Sequence, residues 1–430
     1  MSDFTVEADW SPHLAVDGGV VDIIVTVTSS AGGAPAAQGA APSVAQVIMV
    51  DCSGSMAGRE IEEAKRATNA AIDALRDGVR FAVIAGTERA QAAFPVNQTL
   101  VPANDRTRRE AKQAVRTMRA GGGTAIGQWL TLARHLFQAD PAEIRHAILL
   151  TDGANGEARG TLARVLEECA GAFVCDSRGV GSGWVATELR AIASALLGTA
   201  DALADSGDLA TEFRSMIEAQ MGKVVADVGL RLWTPAGADV RAVKQVFPEV
   251  VDLTTRRTEV NARSGDYPLG AWGAESRDYH VSLSVPGAKP LETRAVLRAG
   301  VVARDGTPLA EQKLVTATWT EDIEQSTKVN PRVAQYLGQT ELDEAIQEAV
   351  AARKAGDTER ATAKFGRAAK LAHETGRVGT LKLIEKAVEV VDAPSGTVKL
   401  RTTGGVSRDE EMLEARSQKT ARVGRGTKES

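Results

Sequence analysis

Cysteine is nearly missing from this chain: Cys52, Cys169 and Cys175 are the only three in 430 residues. So low and odd a count excludes a disulfide framework, and no zinc-type Cys/His spacing surrounds them. They read as buried free thiols in a reduced compartment. Aromatic residues make up 4% of the chain, which speaks against a platform that stacks nucleic-acid bases. Neither charge dominates: 51 Lys and Arg face 56 Asp and Glu, a formal net charge of −5. That imbalance is too mild to mark a nucleic-acid or membrane-surface partner. No apolar run approaches the roughly 20 residues of a membrane helix, and MSDFTVEADW lacks the basic and apolar regions of a signal peptide. The expectation is a cytoplasmic protein with neither nucleic acid nor membrane among its partners. What is present is ordinary globular composition, 43% hydrophobic and 25% charged, over a length that suits two or three domains.

The chain changes rhythm several times. In VVDIIVTVT, Val21, Ile23, Val25 and Val27 share one face, with Asp22, Thr26 and Thr28 on the other. That is the period of a half-buried strand, with Ile24 as the exception. A Gly-, Ala- and Pro-rich stretch from about Ser29 to Ser43 reads as a linker. Residues 44–223 then alternate strand and helix. VAQVIMV, FAVIAG, HAILL and AFVCDSRGVG are buried-strand runs. Ile61, Ala64, Ile72 and Leu75 follow helical spacing, with Thr68 the polar member of their stripe, as do Ile126, Leu130, Ala133 and Phe137. Such alternation predicts an α/β domain with a doubly wound, mostly parallel sheet.

Residues 224–321 return to period two. Val228, Leu230 and Leu232 alternate with Gly229 and Arg231, and Tyr279, Val281, Leu283 and Val285 with His280, Ser282 and Ser284. An antiparallel β-sandwich fits this pattern. Residues 1–43 carry too little strand to fold alone, so they are expected to join this later sandwich, making the α/β domain an insertion. Residues 322–392 read as a three-helix unit. Its stripes are Leu342, Ile346, Ala349, Arg353; Ala361, Phe365, Ala368, Ala372; and Leu381, Ile384, Val388, Val391, with Asp357 a candidate N-cap. Residues 393–430 hold eight basic and five acidic residues with few apolar ones, the composition of a disordered tail.

The chemistry concentrates in three places. DCSGS puts Asp51, Ser53 and Ser55 directly after the first buried α/β strand; GGGTAIG presents Thr124 at a helix start; LLTDG presents Asp152 at another strand end. Ligands of open α/β sheets bind beyond the carboxyl ends of the strands. Two carboxylates and three hydroxyls there suit a hard divalent cation, which takes oxygen ligands. The neutral hydroxyls leave the metal able to accept a further carboxylate from outside.

Asp-x-Ser-x-Ser, a Thr in a Gly-rich turn and Thr-Asp-Gly after an apolar strand resemble the von Willebrand factor A family, whose metal-dependent adhesion motif is matched at all five positions. The resemblance covers about Val44 to Lys223; the flanking β pattern is similar to the sandwich of bacterial intracellular members. It implies that Asp51, Ser53, Ser55, Thr124 and Asp152 hold Mg²⁺ (or Mn²⁺ or Ca²⁺), the hydroxyls more directly and the aspartates partly through water. A Glu or Asp of a partner protein would complete the shell, giving a scaffold or interaction protein and not an enzyme.

Two other roles stand beside this one. A metal-dependent hydrolase or phosphatase of the haloacid-dehalogenase kind would need a second Asp where Ser53 stands, and no general base is placed to serve it. An adaptor of an AAA+ ATPase is the other, which no residue separates from a general scaffold. RGVGSGW lacks the Lys-Ser/Thr of a phosphate loop and reads as a strand-to-helix turn through Gly179, Gly181 and Gly183. His135 is expected to pack on an apolar helix face. Thr420, among basic residues in the tail, is a candidate phosphosite through which a Ser/Thr kinase or forkhead-associated module would dock.

Overall fold

The computed structural model describes residues 3–30, 42–181, 183–203, 209–401 and 407–424. The chain divides into two compact units, residues 32–226 and residues 1–31 with 227–430. The expected linker falls mostly on residues 31–41, outside the described residues. Three strands come first: β1 (Phe4–Trp10), β2 (His13–Ala15) and β3 (Gly18–Ser29).

The α/β unit then runs β4 (Val44–Asp51), α1 (Arg59–Ala74), β5 (Arg80–Gly86), β6 (Ala90–Phe94), β7 (Val101–Pro102), α2 (Asp105–Thr117) and α3 (Ile126–Gln138). It continues with β8 (Ile144–Thr151), α4 (Thr161–Cys169), β9 (Val174–Val180), α5 (Ala186–Ala195), β10 (Ala200–Leu203) and α6 (Leu209–Met221). The sheet order is β10-β9-β8-β4-β5-β6, with β7 also on β5. β10, β9, β8, β4 and β5 are parallel, and β6 and β7 join β5 antiparallel. The apolar run of β4 is buried along its whole length because helices cover both sides of the sheet. Val47 and Met49 pack with Trp129, Leu130 and Phe137 of α3 and Leu166 of α4. Ile48 and Val50 point the other way, towards the side where α1 buries Ile61, Ala64 and Ile72. Thr68, the polar member of that stripe, is buried at no cost in hydrogen bonds, since its hydroxyl donates to the Ala64 carbonyl at 2.8 Å.

The second unit contains β11 (Val225–Trp233), β12 (Asp239–Phe247), β13 (Val251–Asp252), β14 (Thr258–Asn261), β15 (Ser264–Trp272), β16 (Glu275–Pro286), β17 (Thr293–Val302) and β18 (Lys313–Thr320). They form two sheets, β1-β3-β16-β12-β13 and β14-β15-β11-β17-β18-β2. β3 lies between β1 and β16, pairing Val25 with Tyr279, and β2 runs parallel to the end of β18. The first strands of the chain therefore belong to the sheets built from residues after 227. The sheets meet through residues such as Phe4 and Trp272, whose rings lie 5.6 Å apart, and Trp10 Nε1 donates to the Thr316 carbonyl at 2.8 Å. Ile24 breaks the alternation of β3 for a reason: it lies on the sheet's outer face with Val246, Val333 and Tyr336, under a helix.

That helix is α8 (Pro331–Lys354), which follows the short α7 (Ile323–Thr327) and precedes α9 (Thr358–Glu374) and α10 (Val378–Ala387). Asn330 caps α8 with Pro331 in its first turn, and Asp357 caps α9 through the Arg360 N–H at 3.0 Å. Two expectations fail here. The third helical stripe does not extend to Val391: α10 ends at Ala387, Val388 is extended, and β19 (Glu389–Asp392) pairs with β20 (Thr397–Lys399). β-branched EVVD beside the turn at Ser395 and Gly396 favours strand over helix. Nor is the last segment an unstructured tail over its described part. α11 (Arg408–Arg416) opens with a Ser407–Glu410 capping box and buries Met412, Leu413 and Ala415. Its charges, counted in the composition as solvated, are paired: Arg353 Nε lies 3.5 Å from Glu410, and Lys354 Nζ 3.0 Å from Glu414. Among the described residues no helix is long and apolar enough to cross a membrane.

A buried polar cluster fastens α8 to the sheet beneath it. Asp278, wholly buried on β16, accepts from Thr26 Oγ1 at 2.6 Å, Arg332 Nη2 at 2.9 Å and the Tyr336 hydroxyl at 2.5 Å. Arg332 also reaches Asp9 at 2.5 Å, and burial with the Asp278 bond pushes the Tyr336 hydroxyl up to about 12. The segment after α11 closes over this cluster: Val423 N–H donates to the Tyr336 oxygen at 3.1 Å, and its carbonyl accepts from Arg332 Nε at 3.1 Å. Removing one member of a buried pair strands the other's charge, which typically costs about 3–5 kcal/mol. Arg332→Ala should lose about that much stability in chemical denaturation, and Tyr336→Phe less, about 1.5–3 kcal/mol, as the Asp278 carboxylate loses one donor and the Val423 amide its acceptor.

Candidate functional site

From β4 the chain steps to β5 on one side, whereas β8 pairs on the other, so the sheet order reverses at β4 and leaves a crevice at its carboxyl end. β4 ends at Asp51 and β8 at Thr151, directly before Asp152. The loop after β4 carries Ser53 and Ser55, and Thr124 lies just ahead of α3. The structure thus brings all five sequence-predicted residues to one edge of one sheet.

Their side chains meet. Ser53 Oγ and Ser55 Oγ are 3.0 Å apart, and the Ser55 hydroxyl donates to Asp152 Oδ1 at 2.6 Å. Asp51 is wholly buried; Oδ1 accepts from the Ser53 N–H at 2.7 Å and Oδ2 from the Thr151 hydroxyl at 2.5 Å. A Cβ placed on Gly153 would lie 3.3 Å from Ser55 Oγ, a tight approach, and 3.5 Å from Thr124 Oγ1, an ordinary contact, so both hydroxyls flank the same glycine.

The electrostatics are lopsided. Burial raises the Asp51 carboxyl above the ordinary aspartate range, although the Ser53 and Thr151 bonds pull the other way. Burial also raises Asp152, helped by the charges of Asp51 and Glu60 and opposed by Ser55. Among the described residues neither aspartate has a basic partner. Two buried carboxylates and three hydroxyls at one spot, with no positive charge, fit a hard divalent cation in both donor type and charge. Among the described residues no group of three or more His, Cys, Asp or Glu is placed to hold a metal, so any ligand set here depends on the hydroxyls.

The loops are cross-braced. Gly54 N–H donates to the Gly122 carbonyl at 2.9 Å, and Gly121 N–H to the Cys52 carbonyl at 2.8 Å. Gly122 adopts φ +80°, a conformation that favours glycine, and a Cβ there would lie 2.1 Å from Glu88 Oε2. Glu88 takes the Gly123 N–H at 2.9 Å, which holds its carboxyl below the usual range. Trp129 Nε1 and Ala125 N–H both donate to the Thr87 carbonyl. The first amides of α3 are taken by the loop after β8, Ile126 by Asn155 at 3.0 Å and Gly127 by Glu157 at 2.7 Å. Thr151, Glu60, Glu88, Asn155 and Glu157 escaped sequence reasoning. Thr151, Asn155 and Glu157 stand within the TDGANGE run, and the uncapped start of α3 was a signal that something nearby must cap it.

The remaining candidates separate from the site. Of RGVGSGW, residues 178–180 end β9, and Gly181, Gly183 and Trp184 lie between it and α5; a Cβ on Gly183 would lie 2.6 Å from the Asp152 carbonyl, so Gly183 packs against the site. His135 is exposed on α3, against expectation: it directly precedes Leu136 and falls off the buried stripe of Ala133, Leu136 and Phe137. Thr420, expected on a free tail, is half-buried. Its hydroxyl donates to the Val246 carbonyl at 2.6 Å and lies 3.0 Å from that of Pro248. The capped α11 just before it carries it there, and a phosphoryl group would first have to break these bonds.

Comparison with known proteins bears on the family and the fold. A model of the von Willebrand factor type A domain matches residues 45–202, and one of the von Willebrand factor type A C-terminal domain matches residues 370–417. The solved von Willebrand factor type A protein from Catenulispora acidiphila is 42% identical, covers 98% of each chain and superposes with a TM-score of 0.90. The ArnB paralog VWA2 from Sulfolobus acidocaldarius shares the fold at 15% identity, covering 97% of this chain and 98% of its own, with a TM-score of 0.60. An uncharacterized protein of Synechocystis sp. is 29% identical over 215 residues, 49% of this chain; the match spans about half of that relative, 50% of its length.

The raised carboxyls make a signed prediction. An acid whose folded pKa exceeds its unfolded value of about 3.9 favours folding when protonated, so its contribution falls as pH rises through that window and stays unfavourable at neutrality. In EDTA at pH 7, Asp152→Asn should therefore be at least as stable as the parent chain. Added Mg²⁺ should raise the parent's melting temperature, by about 2.7 kcal/mol of stability at a hundredfold excess over Kd, and leave Asp152→Asn unmoved. Thermal melts with and without Mg²⁺ between pH 4 and pH 8 check both statements.

Proposed function

Because this chain belongs to the von Willebrand factor type A family, we propose that its α/β unit holds a divalent cation on Asp51, Ser53, Ser55, Thr124 and Asp152 and grips a carboxylate of a partner protein with it. The observation that carries this reading is the convergence of two buried carboxylates, lacking any basic partner, with two serine hydroxyls in mutual contact. When bound, the cation supplies the missing positive charge and an electrophilic position for an incoming Glu or Asp. Ser53 and Ser55 present neutral oxygens, so the set carries only the charge of two aspartates and still favours an anionic ligand. Mg²⁺ suits an oxygen set with positions left to water or ligand; Mn²⁺ and Ca²⁺ share its preference for oxygen.

Binding and not turnover is the role proposed. Thr151 and the Ser53 amide already occupy the Asp51 oxygens, which leaves that carboxylate engaged and unsuited to attack. No histidine or lysine hydrogen-bonds to Ser53, Ser55 or Asp152 among the described residues, so a base to activate water or a serine is not supplied. The proposed setting is the cytoplasm, as an interaction or scaffold protein.

The test is a pull-down on immobilised protein in Mg²⁺, in EDTA, and with Asp152→Ala in Mg²⁺, with circular dichroism on each sample. A protein retained only by the parent chain in Mg²⁺, all three samples being folded, is the expected result. Equal retention in all three would assign binding to another surface and overturn the reading.

A further inference from the structure

In the second unit, residues 418–424 lie along α8 and the end of β12 much as a bound peptide would. Val250 N–H donates to the Gln418 carbonyl at 2.9 Å, and Glu249 bridges Lys419 in antiparallel sense. Thr420 N–H donates to the Pro248 carbonyl at 3.0 Å, and its hydroxyl to that of Val246 at 2.6 Å. Gln339 takes both backbone groups of Ala421: Oε1 accepts the N–H at 3.0 Å, and Nε2 donates to the carbonyl at 3.2 Å. Tyr336 and Arg332 take the two backbone groups of Val423 in the same way, each at 3.1 Å.

The groups that read this backbone are held by partners of their own. Arg332, Tyr336 and Gln339 stand at i, i+4 and i+7, on one face of α8, and all three are buried. Asp278 fixes the first two. Arg377 Nη1 donates to Gln339 Oε1 at 2.8 Å, which sets the amide so that its oxygen meets an N–H and its nitrogen a carbonyl. The segment, by contrast, is lightly seated. None of residues 418–424 is buried. Beside the Thr420 hydroxyl, two side chains anchor it: Val423 packs on the cluster of Ile24, Val246, Val333 and Tyr336, and Arg422 lies 5.7 Å over the Phe247 ring and donates to Ser276 Oγ at 2.6 Å. Lifting the segment returns its amides and carbonyls to water. It strands no charge, because Arg332 keeps Asp278 and Asp9.

We propose that this face of α8 and the end of β12 form a peptide-docking groove, occupied in cis by residues 418–424. Its partner would be an extended segment of another protein with the pattern Thr-x-Arg-Val. Main-chain bonds supply affinity in such a groove, and the seats for individual side chains supply specificity. Here the seats are the Val246 and Pro248 carbonyls for Thr, Phe247 and Ser276 for Arg, and the apolar cluster for Val. The tethered segment competes at an effective concentration of order millimolar, so the groove stays shut to weak or mismatched ligands. Every residue involved belongs to the second unit, and the metal-binding reading is not required.

Two measurements on the full chain test this. In the parent, the amides of Thr420, Ala421 and Val423 should exchange with deuterium at least about tenfold faster than those of Leu413 and Ala415 in α11, because the segment opens locally while the helix stays closed. Equal rates would mean that the segment leaves only when the unit unfolds, and overturn the proposal. For binding, Val423→Asp loosens the segment in cis, and a fluorescent peptide of residues 417–424 is added. The variant should bind this peptide at least about tenfold more tightly than the parent chain does, since the tethered competitor is weakened. A peptide with Asp in place of Val423 should bind about tenfold or more weakly, as its carboxylate would enter the apolar seat. Gln339→Ala added to Val423→Asp should remove binding, with circular dichroism showing the chain folded; should that double variant unfold, the two peptides decide alone. No gain over the parent, equal binding of the two peptides, or indifference to Gln339→Ala overturns the proposal. So does a Val423→Asp chain that fails to fold, because a segment on which folding depends is not a displaceable ligand.

Discussion

Two aspartates held out of water without a counter-charge are the constraint around which the α/β unit is arranged. Asp51 and Asp152 stand at the ends of adjacent parallel strands, where burial in the sheet edge disfavours their charged forms. A fold left to itself would relieve such a pair with a lysine or by opening the loops to solvent. Here the loops are tied instead: the serine loop to the Gly-rich loop, that loop to Glu88 and Thr87, and the start of α3 to Asn155 and Glu157. Each tie uses a backbone amide that the loop or helix start would otherwise leave open. The strain of holding two anions close is thereby shared among many hydrogen bonds, and the charge deficit stays available to a cation.

Much of this was legible in the sequence because the informative residues are local to strand ends. A buried parallel strand must be apolar throughout, so VAQVIMV and HAILL announce themselves, and whatever follows them lies at the carboxyl edge. Asp51, Ser53, Ser55 and Asp152 are thus placed by counting from an apolar run, and Thr124 by the glycines that precede a helix. The insertion was legible by a negative argument: strands too few to fold alone must pair elsewhere, and β3 does pair with β16.

What sequence reasoning missed has a common physical cause, which is pairing across distance. α11 has the composition of a solvated segment, yet Glu410 and Glu414 are buried against Arg353 and Lys354, some sixty residues earlier. Thr420 reads as exposed because only its neighbours in sequence are visible, whereas its bonds go to carbonyls of Val246 and Pro248. Val388 and Val391 fit a helical stripe by spacing, and a hairpin partner decides otherwise. Glu88 and Glu157 are likewise unremarkable as letters; they matter through the amides they hold. Periodicity reports the face an element buries, and it is silent on which distant charge makes burial of a polar residue tolerable.

Two buried acidic clusters among the described residues show how that difference separates structure from function. Asp278 is as deeply buried as Asp51, but it is surrounded by donors from its own unit: Thr26, Arg332 and Tyr336, with the segment around Val423 laid over them. Its charge is balanced internally, so the cluster is closed and serves to fasten α8 to the sheet. Asp51 and Asp152 receive hydroxyl and amide donors but no positive charge. Hydrogen bonds satisfy their lone pairs without neutralising them. The braces hold this unneutralised pair in place, at a cost in conformational freedom. Asp278 is thus answered by its own fold, whereas Asp51 and Asp152 keep a charge that the fold does not answer.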